Sequence, residues 1–282
     1  MRSFVKWVGG KQRSLKHILP HVPASFRRYH EPFLGGGAVF LGMGEAGLLS
    51  NGSLPPFLSD FNHILAATWR EVQTHPRETA ELLELFRNLD SEQLYLDLRI
   101  YLNEHHADDE GRWESGQYAA TFIYLNRAGF NGLFRVNKQG ELNASFAKTR
   151  PTGKNIVQTE AITAASAFLQ QTQAVVADQG YLAALDAVKA GDFVYLDPPY
   201  DGTYANYTFP PFTQDDQVQL ARRVRGMAAA GASFIISNSD TSLIRELYEG
   251  FTILETTRTN TVNTNTADRS PKRDLTILSW RP

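Results

Sequence analysis

Phe193-Val194-Tyr195-Leu196-Asp197-Pro198-Pro199-Tyr200 reads as a buried strand that stops abruptly. Four apolar residues in a row suit a strand covered on both faces. The two prolines that follow lock φ and supply no N–H, so the Pro198 carbonyl points outward and not into a helix. Asp197 and that carbonyl can both accept hydrogen bonds from an exocyclic NH2. The Tyr200 ring can stack on the heterocycle that carries it. A strand ending in a proline-rich turn is also an ordinary structural event.

Outward from this strand, further strands and helices alternate. Strands are predicted at Tyr29–Phe33, up to Asp60, at Ala174–Asp178, Ser233–Ser237, Phe251–Thr256 and Leu275–Trp280. Helices are predicted over Ala38–Ala46, Tyr181–Lys189, Gln214–Ala230 and Leu243–Glu249. Such alternation argues for an α/β fold with a parallel sheet. One block interrupts it. From about Ile64 to Arg127 the pattern is helical and acidic, as in Leu82, Leu85, Phe86, Leu89. Residues 128–154 turn Gly/Asn-rich and basic, with a hairpin signal at Asn137-Lys138-Gln139-Gly140. The expected organisation is therefore a discontinuous domain, 1–64 with 156–282, and an inserted, mainly helical domain, 65–155, carrying a β-hairpin. The stretch Thr257–Thr266 reads as a polar loop.

With 282 residues, 42% of them hydrophobic, the chain can bury a full core. No segment approaches the roughly 18 apolar residues that span a bilayer, and the N-terminus lacks a signal core. The absence of cysteine rules out disulfides, thiolate metal sites and a cysteine nucleophile, and fits a cytoplasmic protein. The net charge of −2 hides an asymmetry: residues 127–154 carry six basic side chains against Glu141 alone. A basic face on an acidic body suits phosphate, and equally a solvated surface. His105 and His106 lie in a polar stretch, and no histidine spacing fits a metal site.

Phe33-Leu34-Gly35-Gly36-Gly37 follows a strand and opens a helix, the context in which glycines let backbone N–H groups approach a ligand and let the helix pack closely. Asp60 ends the next strand, where an acid accepts from ribose hydroxyls. The pattern suits NAD, FAD or S-adenosylmethionine, although the glycines are not in dinucleotide spacing. Gly9-Gly10-Lys11 lacks the remaining parts of a phosphate loop. Trp7 instead offers an aromatic wall, and Lys11 a partner for the carboxylate of an amino-acid-bearing cofactor, which S-adenosylmethionine has and NAD lacks.

Four strings in order carry a resemblance that runs from Phe4 to near Trp280: Lys6-Trp7-Val8-Gly9-Gly10-Lys11, Glu31-Pro32-Phe33-Leu34-Gly35-Gly36-Gly37, Leu125-Asn126-Arg127-Ala128-Gly129-Phe130-Asn131-Gly132-Leu133-Phe134-Arg135-Val136-Asn137, and Asp197-Pro198-Pro199-Tyr200. Together they resemble the Dam-type DNA adenine-N6 methyltransferases (D12 class, alpha group). The resemblance implies a Rossmann-like catalytic sheet, S-adenosylmethionine as donor and double-stranded DNA as substrate. It also implies a target-recognition insert and, in some settings, a separately acting restriction endonuclease. It places Trp7, Lys11, Phe33, Gly35, Gly37, Asp60, Asp178 and Asp197 at the cofactor, with Asp197, Pro198 and Tyr200 catalytic. On DNA it assigns Arg135 to a guanine, Phe130 to a wedge in the duplex, and Leu133 to an apolar base contact. Asn131 falls beside the flipped base, and Lys6 near a guanine and the cofactor. Arg127, Asn137 and Asn143 fall on phosphates. Members reading GATC have Val-Pro-Phe where this chain has Ala144-Ser145-Phe146, so the expected target is a short duplex site, GATC or a related one.

The mechanism that follows is positioning. Adenine's amine is a poor nucleophile because its lone pair is delocalised into the ring. Asp197 and the Pro198 carbonyl hold its N–H bonds so that the nitrogen moves toward sp3 and faces the sulfonium methyl. Cytosine-C5 methylation is excluded for lack of a thiolate. Cytosine-N4 methylation uses the same logic, usually with Ser for Asp, and remains the rival; a silent DNA-binding module and a nucleotide-dependent oxidoreductase are further alternatives. Asn238, after a buried strand, is expected to cap the next helix rather than touch substrate.

Overall fold

A computed structural model describes residues 1–107, 109, 112–132, 134–148, 156–202, 211–258 and 272–281. Among them, seven strands form one sheet: β1 (Tyr29–Glu31), β2 (Phe57–Asp60), β3 (Val175–Asp178), β4 (Phe193–Leu196), β5 (Ser233–Ser239), β6 (Thr252–Arg258) and β7 (Lys272–Leu278), in the order β3-β2-β1-β4-β5-β7-β6. The first five are mutually parallel, with Tyr29 opposite Phe193 and Asp60 opposite Asp178. From β1 the chain winds outward to β3 and returns to β4 on the other side. A crevice opens at such a reversal, beyond the carboxyl ends of β1 and β4.

The sheet is not wholly parallel. β7 enters between β5 and β6 and runs antiparallel to both. No helix separates β6 from β7 among the described residues, and a strand pair without a crossover helix can be antiparallel. Thr257 and Arg258, expected in a loop, extend β6; residues 259–266 lie outside the described residues.

Ten α-helices surround the sheet among the described residues: α1 (Leu15–Ile18), α2 (Ala38–Glu45), α3 (His63–Thr74), α4 (Pro76–Asn88), α5 (Glu92–Glu104), α6 (Gln117–Ala128), α7 (Thr159–Gln171), α8 (Tyr181–Asp186), α9 (Gln214–Ala229) and α10 (Ser242–Leu247). Asn62 caps α3 by accepting from the Leu65 N–H at 3.2 Å, and Thr213 caps α9 in a capping box with Asp216. None of the described helices is long and apolar enough to cross a membrane. In α6, every residue from Tyr118 to Asn126 is buried, because the helix packs against α3, α4 and α5. The Asn137–Gly140 signal forms a tight turn closed by the Asn137 N–H on Glu141 O (2.9 Å). Gly140 sits at φ +83, and Val136 and Leu142 bridge antiparallel.

β4 shows why its apolar run does not alternate. Phe193 and Tyr195 face a core shared with Phe4, Trp69, Phe122 and Phe134, whereas Val194 and Leu196 face a second core with Leu220, Phe234, Ile236 and Leu275. Period-two side chains thus serve two layers.

Candidate active site

A cavity of about 570 Å³ opens at the strand ends, and Trp7, Lys11, Phe33, Gly35, Asp60, Asp197, Pro198 and Tyr200 all belong to its wall. Residues as far apart in the chain as Trp7 and Tyr200, 193 positions, therefore share one wall. Lys11 is 6% exposed, and its Nζ lies 2.6 Å from Asp197 Oδ2. It also donates to Gly9 O at 2.6 Å and sits 4.8 Å from the Tyr200 ring centroid. A buried ammonium requires such partners. The charge expected to meet a cofactor carboxylate is thus held by Asp197 in this structure.

The glycine turn earns its composition from packing. Gly35 (φ +50) and Gly37 (φ +65) adopt left-handed conformations. A Cβ at Gly35 would stand 2.7 Å from the Trp7 ring, and one at Gly37 would stand 2.6 Å from Trp69. The Gly35 N–H donates to Asp60 Oδ2 (2.8 Å) and the Asn62 N–H to Oδ1 (2.9 Å), so this glycine amide points at an acid and not at a phosphate. Each Asp60 oxygen keeps a further lone pair for a hydroxyl donor. Burial raises the Asp60 carboxyl to about 6, against the two N–H bonds that hold it down. Gly37 packs behind the turn, outside the wall.

Asp178 stands apart from the other acids of the site. It pairs in register with Asp60 but is exposed and lies outside the cavity wall, which is completed there by Gly180–Ala183. Tyr181 takes that place, stacked with Phe33 at 5.5 Å and 22°.

Glu31, which its motif leaves without a role, is a further candidate site residue. Glu31 ends β1 in the cavity wall, is 2% exposed, and accepts from the Tyr29 hydroxyl at 2.7 Å. Burial pushes its carboxyl up to about 8, with the Asp197 charge adding to the rise. A carboxylate at the end of a short strand, directly before Pro32, was the available signal.

In the segment after α6, Phe130 is 56% exposed, with its N–H donating to Ser145 O at 2.8 Å. Asn131 is exposed in a left-handed conformation (φ 56), which its short polar side chain tolerates. Arg135 is exposed and donates from Nε to Asn143 Oδ1 at 2.9 Å. Asn137 builds the turn: its Oδ1 accepts from Gln139 and Glu141 N–H groups at 2.9 and 3.0 Å. Leu133 lies outside the described residues. The main chain of Lys6 is clamped by Asn126, whose side chain both accepts from its N–H (2.7 Å) and donates to its carbonyl (2.9 Å). Its side chain lies against Gly132, where a Cβ would meet it at 2.3 Å.

Arg127 is turned inward. Its guanidinium donates to Phe4 O at 3.1 and 2.9 Å, and burial lowers its pKa to about 10. Satisfying the Ser3 and Phe4 carbonyls of the N-terminal segment competes with reaching a phosphate. Trp7 in turn packs against Phe134 at 5.3 Å, so one short segment, residues 4–7, touches both the cavity and the 126–134 segment.

A family model described as D12 class N6 adenine-specific DNA methyltransferase matches residues 7–262. The chain is 33% identical over 270 residues to Type II methyltransferase M1.LlaDCHI of Lactococcus lactis subsp. cremoris, covering 92% of this chain and 89% of that one. It is 31% identical over 284 residues to a DNA adenine methylase of Vibrio cholerae serotype O1, covering 98% and 95%. It is 30% identical over 256 residues to the DNA adenine methylase of Escherichia coli (strain K12), covering 88% and 84%.

Proposed function

The chain belongs to the D12 class of N6 adenine-specific DNA methyltransferases, and we propose that its cavity receives S-adenosylmethionine and an adenine extruded from a short duplex site. When bound, S-adenosylmethionine supplies a methyl group made electrophilic by a sulfonium. The wall fits it chemically: Trp7, Phe33 and Tyr181 are flat apolar surfaces, Asp60 has lone pairs for ribose hydroxyls, and Lys11 is a cation for its carboxylate. A pyrophosphate would find the Gly35 N–H already committed to Asp60.

The observation that carries the reading is the convergence of Asp197, Pro198 and Tyr200 on the same cavity as this cofactor wall. Asp197 and the Pro198 carbonyl accept the two amine N–H bonds and so localise the nitrogen lone pair. Tyr200 stacks on the base, and stacking offsets part of the few kcal/mol spent on extrusion. Residues 65–155 serve as the recognition unit: Phe130 fills the gap left in the duplex, Arg135 reads a guanine, and Lys6, Asn131 and Leu133 stand close to the bases. Asn137 and Asn143 support the turn that carries Arg135 and approach the phosphates. A restriction endonuclease acting on the same site is the partner class suggested by the relatives named Type II methyltransferases.

The test is transfer of tritiated methyl from S-adenosylmethionine to unmethylated genomic DNA, followed by nucleoside analysis. N6-methyladenine is expected. Asp197→Ala should abolish transfer while cofactor and DNA binding weaken far less; Asp197→Asn, which loses the charge that neutralises Lys11 but keeps an acceptor oxygen, should lower transfer by a smaller factor. N4-methylcytosine as product, or near-normal turnover in either variant, would overturn the proposal.

A further inference from the structure

Pro198 and Tyr200 can act only if the turn that carries them is held still, and the structure contains a device for that. The Gln217 side chain on α9 donates from Nε2 to Pro199 O at 2.8 Å. Its Oε1 accepts from Asn238 Nδ2 at 3.1 Å. Asn238 Oδ1 accepts in turn from the Asp201 N–H at 3.1 Å and from the Ser239 N–H at 2.8 Å. The path leaves the turn at the residue before Tyr200 and re-enters it at the residue after. Two further bonds fix the far side: Ser239 Oγ donates to Asp201 O at 2.6 Å, and Thr241 Oγ1 to Asp201 Oδ2 at 2.7 Å.

Both amides are buried, Gln217 at 2% and Asn238 at 0% exposure, and neither lines the cavity. Their orientations are dictated from the two ends. Pro199 O can only accept and Asp201 N can only donate, so each amide has one arrangement that satisfies both neighbours. Asn238 is therefore not the cap of α10; Thr241 is, accepting from the Ile244 N–H at 3.3 Å. Helix caps need a side chain one step outside the helix, and Asn238 is still in β5.

We propose that Gln217 is a positioning residue for methyl transfer: through Asn238 it closes a hydrogen-bonded ring around Tyr200 that sets the aim of the Pro198 carbonyl and the Tyr200 ring. This rests on the function proposed above. The ring replaces a flexible proline turn by one with both flanks tied to α9 and β5, the kind of pre-organisation that catalysis by orientation requires.

Gln217→Met keeps the volume and removes both hydrogen bonds. It is expected to lower kcat about 10- to 100-fold, with KM for S-adenosylmethionine and for DNA within about threefold, in tritiated methyl transfer to unmethylated genomic DNA. Asn238→Leu should do the same, and the double variant should be no worse than either, because all three break one ring. Ser239→Ala, at a half-buried position, removes the outer tie to Asp201 O and a long contact to Asn238 Oδ1 while leaving the ring closed, and should lower kcat by a smaller factor with KM unchanged. A Gln217→Met kcat within twofold of the parent, a rise in KM at unchanged kcat, or fully additive losses would each overturn the inference. Should Gln217→Met fail to fold, Asn238→Leu, which opens the same ring at its other amide, decides on the same readouts: a lowered kcat at unchanged KM supports the ring and an unchanged kcat refutes it. A parent protein that transfers no methyl group to DNA would instead refute the proposed function.

Discussion

Replacing Glu31 by glutamine tests whether burial sets the protonation state of the cavity floor. The glutamate ends β1, 2% exposed, with the Tyr29 hydroxyl on one oxygen and the Asp197 charge nearby. Its carboxyl is carried from 4.5 in the unfolded chain to about 8 in the folded protein. Between those limits the folded state holds a proton that the unfolded state has lost, so stability falls as pH rises through the window. At about 1.4 kcal/mol per pH unit, the accumulated cost is of order 3–5 kcal/mol by pH 8. Glutamine is neutral throughout and still accepts from Tyr29. Urea unfolding of both proteins at pH 5, 6, 7 and 8 should therefore show little difference at pH 5 and a glutamine variant increasingly more stable toward pH 8. Parallel stability curves across the range would refute the reasoning, since Glu31 would then be ionised in the folded protein or already compensated.

Gly37→Ala should destabilise the protein by roughly 2–4 kcal/mol, combining a left-handed conformation with a Cβ 2.6 Å from Trp69. Gly47→Ala, at φ +71 with nothing within 4 Å, should lose only about 1–2 kcal/mol; equal losses in chemical unfolding would contradict the packing account. Arg135→Ala should relax discrimination at one base position of the methylated site, by about 1–3 kcal/mol in competition between duplexes. Uniform weakening on every sequence, with a shallower salt dependence, would make Arg135 a phosphate contact.

Much of the catalytic half was legible because its signals are local. The run Phe193–Leu196 marks a strand without needing its neighbours, and Gly35–Gly37 with Asp60 marks the turn beside it. Strand direction is not local: nothing in Lys272–Leu278 says that it will enter between β5 and β6 and run against them. Partnerships are not local either. Arg127 looks like a surface base in a basic segment, yet its donors meet Phe4, more than a hundred residues away. Lys11 reads as a free ammonium, but Asp197 neutralises it. Asp178 has the right residue type at a strand end, but nothing local to it says that Gly180–Ala183, the residues after it, line the cavity. Gln217 carries no motif at all, since a glutamine on a helix is an ordinary surface residue until the fold buries it.

The place of β7 has a consequence for how the molecule is made. The cavity motifs from Trp7 to Tyr200 are all synthesised before Lys272, yet β5 and β6 cannot be joined until the strand between them exists. A nascent chain paused short of Leu275 would carry every chemical group needed for its task and still expose two unfinished sheet edges to the crowded cell, the condition in which chains stick to one another. A premature stop in that final stretch should therefore be as damaging as loss of Asp197, by aggregation and degradation and not by chemistry.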